Sequence, residues 1–122
     1  MTRVLHVSYE WVLADACNEV LEYTFQEVVW VHSVPEGVFY ATTSRFNLVV
    51  MEFRLSQGSS LELAEALTIY DPSLPLILYS ASIPPDRQNA IARIPFKTII
   101  HLPASYKQMT EAFRLYARED AL

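Results

Sequence analysis

The sequence alternates short apolar runs with segments of helical periodicity, and this alternation leaves few folds open to the chain. The apolar runs, rich in aliphatic, aromatic and β-branched residues, are Arg3–Ser8, Glu27–His32, Leu48–Phe53, Leu76–Ser80 and Lys97–Leu102. The segments of helical spacing between and after them are Trp11–Phe25, Pro35–Thr43, Leu61–Tyr70, Pro84–Arg93 and Ala104–Arg118. Near-continuous apolar strands that alternate with helices predict an α/β fold, a doubly wound parallel sheet covered on both faces.

The size of the chain suits one domain of this kind. It has 122 residues, of which 52% are hydrophobic and 19% charged, enough apolar material to close one core. No apolar run approaches the roughly 18 residues that would span a bilayer, and the charged and polar residues of the first segment do not resemble a signal peptide. We therefore expect one cytoplasmic domain over residues 1–122, with no contact to a membrane.

Charge and cysteine content exclude further classes. The formal net charge is −5 and the nine basic residues are scattered along the sequence, which argues against direct binding of nucleic acid by this domain. The single Cys17 cannot form an internal disulfide, and its place in a helical pattern predicts a small buried side chain. The sequence has two glycines, no Gly-rich phosphate loop and no spacing typical of metal ligands or of a nucleophile with its base. We expect no enzyme, no metal site and no cofactor.

Functional residues are expected where the strands end, because ligands of doubly wound sheets bind beyond the carboxyl ends of the strands. Polar or unusual side chains at these ends share one predicted edge of the sheet: Ser8, Tyr9, Glu10, Glu52, Ser80 and Leu102. These residues form the predicted pocket.

Four segments, taken in order, resemble the conserved stretches of response-regulator receiver domains. They are VLHVSYE (Val4–Glu10), FNLVVMEFRLSQGSSLEL (Phe46–Leu63), PLILYSA (Pro75–Ala81) and TIIHLPA (Thr98–Ala104). The resemblance spans nearly the whole chain and implies a five-stranded receiver-like sheet of strand order 2-1-3-4-5 with five helices. It also implies two-component signal transduction, and a cis bond between Leu102 and Pro103.

The resemblance includes a departure at the family's functional positions. In receiver domains, paired acids bind Mg²⁺, an aspartate accepts the phosphoryl group, a Ser or Thr and a Lys contact it, and an aromatic residue acts as the switch. The matching positions here hold, in that order, Ser8 and Tyr9, Glu52, Ser80, Leu102 and Ile99. Without the acids and the lysine, little remains to bind Mg²⁺ or to neutralise a transferring phosphoryl group. We therefore expect an atypical, phosphorylation-independent domain.

Several interpretations stay open at this pocket. Glu52 either stands in for a phosphorylated aspartate and holds Ser80 in an active-like position, or is a solvated remnant at a strand end. Tyr9 and Trp11 either fill the vacated metal site or pack over the edge of the sheet. His6 and His32 are expected to be structural, whereas His101 lies near the pocket rim.

Two classes of function follow. The preferred one is protein–protein interaction, either of an isolated domain or of the regulatory part of a transcription regulator. By the resemblance, the partner or a second copy would bind the fourth helix, fifth strand and fifth helix, where the candidates are Arg87, Gln88, Arg93, Lys107, Glu111 and Arg114. The alternative is a switch that still accepts phosphate or a small ligand in the modified pocket.

Overall fold

The strands and helices follow the predicted order in the computed structural model, which describes residues 1–55 and 58–121. The elements are β1 Arg3–Val7, α1 Val12–Thr24, β2 Glu27–Val31, α2 Val34–Thr43, β3 Leu48–Glu52, α3 Ser60–Tyr70, β4 Leu76–Ser80, α4 Gln88–Ala92, β5 Thr98–His101 and α5 Tyr106–Tyr116. Most predicted boundaries lie within one or two residues of these.

The five strands form one parallel sheet in the order β2-β1-β3-β4-β5, as predicted. The order reverses direction at β1, so β1 and β3 are neighbours at the centre and their carboxyl ends lie side by side. The last residue of β3, Glu52, is thereby placed next to the chain that leaves β1. In the described part of the chain, no helix is long and apolar enough to cross a membrane.

Alternate residues of each strand point to opposite faces of the sheet, which divides the core in two. The first face, called here the α2–α4 face, packs the β1 residues Leu5 and Val7 against helices that include Leu63 and Leu67 of α3. The second, the α1/α5 face, packs Val4, Val50 and Ile77 against side chains of α1 and α5, Cys17, Val20, Met109 and Phe113 among them. Cys17 is buried there, as its helical position predicted.

Serine hydroxyls cap three of the helices. Ser33, Ser59 and Ser105 each accept a hydrogen bond from the backbone N–H three residues later, at the starts of α2, α3 and α5. Helix α3 begins at Ser60, and the Ser60 hydroxyl donates to the carbonyl of Phe53 at 2.7 Å, which ties the helix start to the end of β3. The small polar residues of Ser56–Ser60 predict a turn before this helix, and two of them, Ser56 and Gln57, lie outside the described residues.

Two helices differ from their predictions. The helix predicted from Pro84 is a 3₁₀ turn over Pro85–Arg87 followed by the five residues of α4, since Pro85 disfavours a helical conformation at the residue before it and Pro84 has an extended ψ of 138°. The helical spacing of Tyr106, Met109, Phe113 and Tyr116 predicts one core-facing stripe on α5. Met109 and Phe113 are buried, but Tyr106 is half exposed and meets Tyr23 of α1 edge to face, with ring centroids 5.6 Å apart. The Leu102–Pro103 bond is cis, as the resemblance implied.

Candidate functional site

Glu52 is the centre of the candidate site, at the carboxyl edge of the sheet. Its side chain is completely buried. The Oε2 atom accepts a hydrogen bond from the indole N–H of Trp11 at 3.1 Å and lies 3.3 Å from the hydroxyl of Ser8. The Oε1 atom is buried and has no hydrogen-bond partner, and the Nε of Arg54 lies 3.8 Å from it. The carboxylate is therefore enclosed by side chains from the ends of β1 and β3, with one oxygen left under-satisfied.

The Ser8 hydroxyl has two possible hydrogen-bond acceptors, of which Glu52 is the more distant. It also lies 2.8 Å from the carbonyl of Tyr9, the shorter of its two contacts, and one hydroxyl hydrogen serves one strong acceptor. The Trp11 indole N–H is thus the main hydrogen-bond donor to the Glu52 carboxylate. Burial raises the pKa of Glu52 above its usual range. The positive charge of Arg54 and the hydrogen bonds from Ser8 and Trp11 lower the pKa, but by less than burial raises it. The protonated form of Glu52 is consequently favoured more than in an exposed glutamate.

An aromatic and cationic cover closes this carboxylate. The ring of Tyr9 stacks on that of Trp11 with centroids 5.7 Å apart and planes 19° apart. The guanidinium carbon of Arg54 lies 5.4 Å from the centre of the Trp11 ring. Of the two interpretations of this aromatic pair, the structure supports the one in which it fills the pocket. The hydrogen bond from Trp11 and the position of Arg54 were not predicted; their signal in the sequence is their closeness to Ser8 and Glu52.

Ser80, a predicted pocket residue, forms hydrogen bonds within its own loop. The Ser80 hydroxyl donates to the carbonyl of Ser82 at 2.8 Å and accepts from the Ser82 N–H at 3.1 Å. A short hydroxyl side chain at a strand end readily bonds its own loop in this way. The suggested contact between Glu52 and Ser80 is therefore replaced by a local turn. A solvated Glu52 is equally inconsistent with its complete burial.

The remaining predicted residues are dispersed. Leu102 packs against the α1/α5 core, and Ile99 packs against the α2–α4 core. Glu10 is exposed, and His101 is exposed at the edge strand, where it lines a cavity together with Ile99. Within residues 1–55 and 58–121, no three His, Cys, Asp or Glu side chains are grouped so that they could hold a metal ion.

A buried polar cluster lies beneath the site on the α1/α5 face. The Nδ1 of His6 lies 3.0 Å from Oδ1 of Asn18, and its Nε2 lies 2.8 Å from the hydroxyl of Tyr79. Because the amide oxygen of Asn18 only accepts, Nδ1 carries the proton and Nε2 accepts from Tyr79. His6 also stacks on Trp30, with centroids 5.1 Å apart, and burial lowers its pKa to about 4. His6 is thus a neutral structural histidine, but its partners were not predicted.

His32 and Trp30 hold the end of β1. The Nδ1 of His32 lies 2.8 Å from the carbonyl of Ser8, and the indole N–H of Trp30 donates to the same oxygen at 3.2 Å. These bonds fix the backbone from which the Ser8 side chain reaches toward Glu52. The structural role expected for His32 fits this position.

Comparison with protein-family models found no match, and comparison with curated proteins found none either. Comparison with solved structures found close similarity of fold. A receiver domain protein from Methanospirillum hungatei superposes with a TM-score of 0.84 at 19% identity, over 94% of this chain and 92% of that one. The receiver domain of a sensor histidine kinase from Pseudomonas aeruginosa, with magnesium in its active-site cleft, gives 0.84 at 14% identity, over 94% and 96%. A chemotaxis response regulator of Vibrio cholerae gives 0.81 at 14% identity, over 94% and 98%. The chain therefore has the fold of response-regulator receiver domains.

Proposed function

We propose that this chain is an atypical receiver-like domain that acts in signal transduction by binding a partner protein, without phosphorylation. The observation that supports this most strongly is the enclosure of Glu52. Its carboxylate is buried, one oxygen is bonded by Trp11, and Arg54 is its nearest cation. A phosphoryl donor would have to displace this cover before it reached the carboxylate.

The electrostatics of the pocket support the same proposal. Phosphoryl transfer depends on cations that neutralise the charge developing on the transferring group. The end of β1 provides a hydroxyl at Ser8 and a phenol at Tyr9 in place of acids that would bind Mg²⁺. Arg54 is the cation beside Glu52, and its side chain extends over Trp11. Glu52 is held as a structural group under this cover, and the signal passes through contacts elsewhere on the domain.

A titration with Mg²⁺ followed by beryllofluoride tests this proposal. Backbone amide and tryptophan indole NMR signals are followed for the wild type and for Glu52→Asp, with a receiver domain that has the full set of acids and lysine titrated in parallel. We expect saturable shifts in the parallel domain and none in the wild type. Glu52→Asp separates the effect of the extra methylene from that of the missing cations. Saturable shifts centred on Glu52 and Ser80 of the wild type would contradict the proposal.

The charge distribution supports the predicted surface for the partner. The basic residues are separated from one another along the sequence, but most of them lie in the part of the chain that forms α4, β5 and α5. Residues 85–118 contain six of the nine basic residues and two of the fourteen acidic residues, whereas the rest of the chain contains three and twelve. The α4, β5 and α5 region is therefore basic on an otherwise acidic molecule. Within it the predicted interface residues are all exposed: Arg87, Gln88, Arg93, Lys107, Glu111 and Arg114.

An apolar groove lies within this basic surface. It has a volume of about 330 Å³ and is lined by Ile83, Ile91 and Ile99, with Gln88 and His101 at its polar side. Apolar side chains inside a charged rim are typical of protein interfaces. An isologous dimer through this face would bring like charges together, which costs affinity. We therefore favour a partner with an acidic face over a second copy of this chain.

Two measurements on charge-reversed variants test the surface. Sedimentation equilibrium of the wild type is expected to show a monomer; a dimer that Arg93→Glu with Lys107→Glu disrupts would contradict the acidic partner. Once a partner has been captured and identified, its affinity for the double variant is expected to fall, with a weaker salt dependence. Arg45→Glu, an exposed reversal outside this region, is the matched control.

A further inference from the structure

A second cavity is lined in part by Arg54, two positions after Glu52. It has a volume of about 440 Å³, and its described lining comes from the end of β3, the start of α3 and the turn that precedes α4. Its apolar and charged lining consists of Phe53, Leu55, Leu61 and Pro84 with Arg54 and Arg87. The volume lies in the range of pockets that bind small ligands.

The charge of this cavity is one-sided. The described residues that line it include two arginines and no acid, and the carboxylate of Glu62 lies outside this lining, beside Gly58. Arg87 forms no ion pair with any residue of 1–55 or 58–121. Arg54 has Glu52 as its carboxylate neighbour, but at 3.8 Å and without a hydrogen bond. Guanidinium groups bind planar or tetrahedral anions through paired N–H donors, so both side chains have unused capacity for an anion.

The apolar walls restrict which anion fits. Phe53, Leu55 and Leu61 are partly or fully buried and form the inner part of the cavity, whereas both arginines are exposed. A bare inorganic anion would leave the apolar walls uncovered. An anion attached to an apolar group would cover them and still reach the arginines.

We propose that this cavity binds a small organic anion, a carboxylate or phosphoryl group on an apolar body. The anionic group pairs with Arg54 and Arg87, and the body packs on Phe53 and Leu61. This inference goes beyond the proposed interaction with a partner and does not depend on it. No bond is made or broken, so the ligand does not need Glu52 as a nucleophile.

The position of Arg54 provides a direct reporter of binding. Its guanidinium lies 5.4 Å from the Trp11 ring, and Trp11 donates to Glu52. A ligand that pairs with Arg54 draws the guanidinium away from both groups. The indole N–H signal of Trp11 should therefore shift on binding. The indole N–H signal of Trp30, which lies in β2 and does not line this cavity, is an internal reference.

The test is an NMR titration with phenylphosphonate and with benzoate, which distinguish the two anionic groups, beside inorganic phosphate and benzyl alcohol. We expect saturable shifts of Trp11, Leu61 and Arg87 with at least one organic anion, with a Kd on the order of 1 mM. The two control compounds should bind about tenfold more weakly or not at all, since each lacks one of the two recognition elements.

Variants separate this site from non-specific attraction of anions. Arg54→Gln and Arg87→Gln should each weaken binding about tenfold, the loss of one charge-assisted pairing. Arg93→Gln, an exposed arginine that does not line this cavity, should leave binding unchanged. Linear shifts up to about 20 mM, or equal effects of all three substitutions, would overturn the proposal. Phenylphosphonate needs neither Mg²⁺ nor the Glu52 carboxylate, so this titration and the beryllofluoride titration can fail independently.

Discussion

The two faces of the central sheet are built from the same strands but with different chemistry. On the α2–α4 face, the buried core of the central strands is a row of apolar side chains, Leu5, Val7, Val49, Met51, Leu76 and Leu78, with polar residues of β1 and β4, Arg3 and Ser80, only at the strand ends. On the α1/α5 face, the same strands contribute His6, Tyr79 and Glu52 among apolar neighbours, and α1 adds Asn18. One face thus provides stability mainly by apolar burial, whereas the other also buries groups that titrate and form hydrogen bonds with one another.

This difference indicates where the molecule can respond to its surroundings. Apolar burial involves no titrating group, so the contribution of the α2–α4 core to stability should change little with pH. The buried polar groups of the α1/α5 face make its stability depend on protonation. The candidate site lies at the end of that second face, where Glu52 meets Trp11 and Arg54.

The largest effect is expected on the apolar face. Leu67→Ala removes a completely buried side chain from α3 and should lower the free energy of unfolding by about 2 to 5 kcal/mol. Urea denaturation at pH 7 measures it. Ile69→Ala on the same helix is the matched control, because Ile69 is 84% exposed, and it should change the free energy by less than about 0.5 kcal/mol. Similar losses in both variants would contradict this description of the face.

The second largest effect is a pH dependence of stability that the buried His6 gives to the α1/α5 face. Burial lowers the pKa of His6 to about 4 from an ordinary 6.5, so the unfolded chain binds a proton that the folded one does not. The free energy of unfolding is therefore unaffected by this group above pH 6.5 and decreases as the pH falls toward 4, by about 3 kcal/mol in all. Urea unfolding at pH 7 and at pH 4.5 measures most of this loss. His6→Phe should reduce the pH dependence, and an unchanged slope would show that other groups cause it.

The smallest change in the free energy of unfolding is expected from Glu52, and the pH dependence that Glu52 causes is opposite in sign to that of His6. Burial raises its pKa, so its ionisation destabilises the fold, and stability from this group decreases as the pH rises through the folded-state pKa. Glu52→Gln keeps an oxygen for the Trp11 indole and removes the charge. At pH 8 it should be more stable than the wild type by about 1 kcal/mol, and the difference should vanish at low pH.

Thermal unfolding across this pH range checks the prediction. Glu65→Gln, at an exposed position on α3, controls for the loss of one negative charge and should have little effect. A Glu52→Gln variant less stable than the wild type at pH 8 would mean that Arg54 stabilises the ionised form more than burial opposes it.

The sequence predicted the fold and the position of the site better than its contacts. Near-continuous apolar runs such as Leu48–Glu52 are a strong signal for buried parallel strands, so the edge that carries Glu52 followed directly. The contacts depend on how α1 lies across the sheet. That placement brings Asn18 to His6, and no local pattern encodes it. Likewise, the Ser80 hydroxyl bonds either Glu52 or its own loop depending on its side-chain rotamer, and residue types alone do not predict that rotamer.

The burial of Cys17 has a practical consequence for measuring motion. Its thiol is 1% exposed between α1 and the sheet, and burial raises its pKa to about 12. A thiol-specific reagent can therefore react only during the moments when α1 has moved away from the sheet. The rate of labelling therefore reports how often α1 separates from the sheet in the unmodified protein, on the face that holds the candidate site.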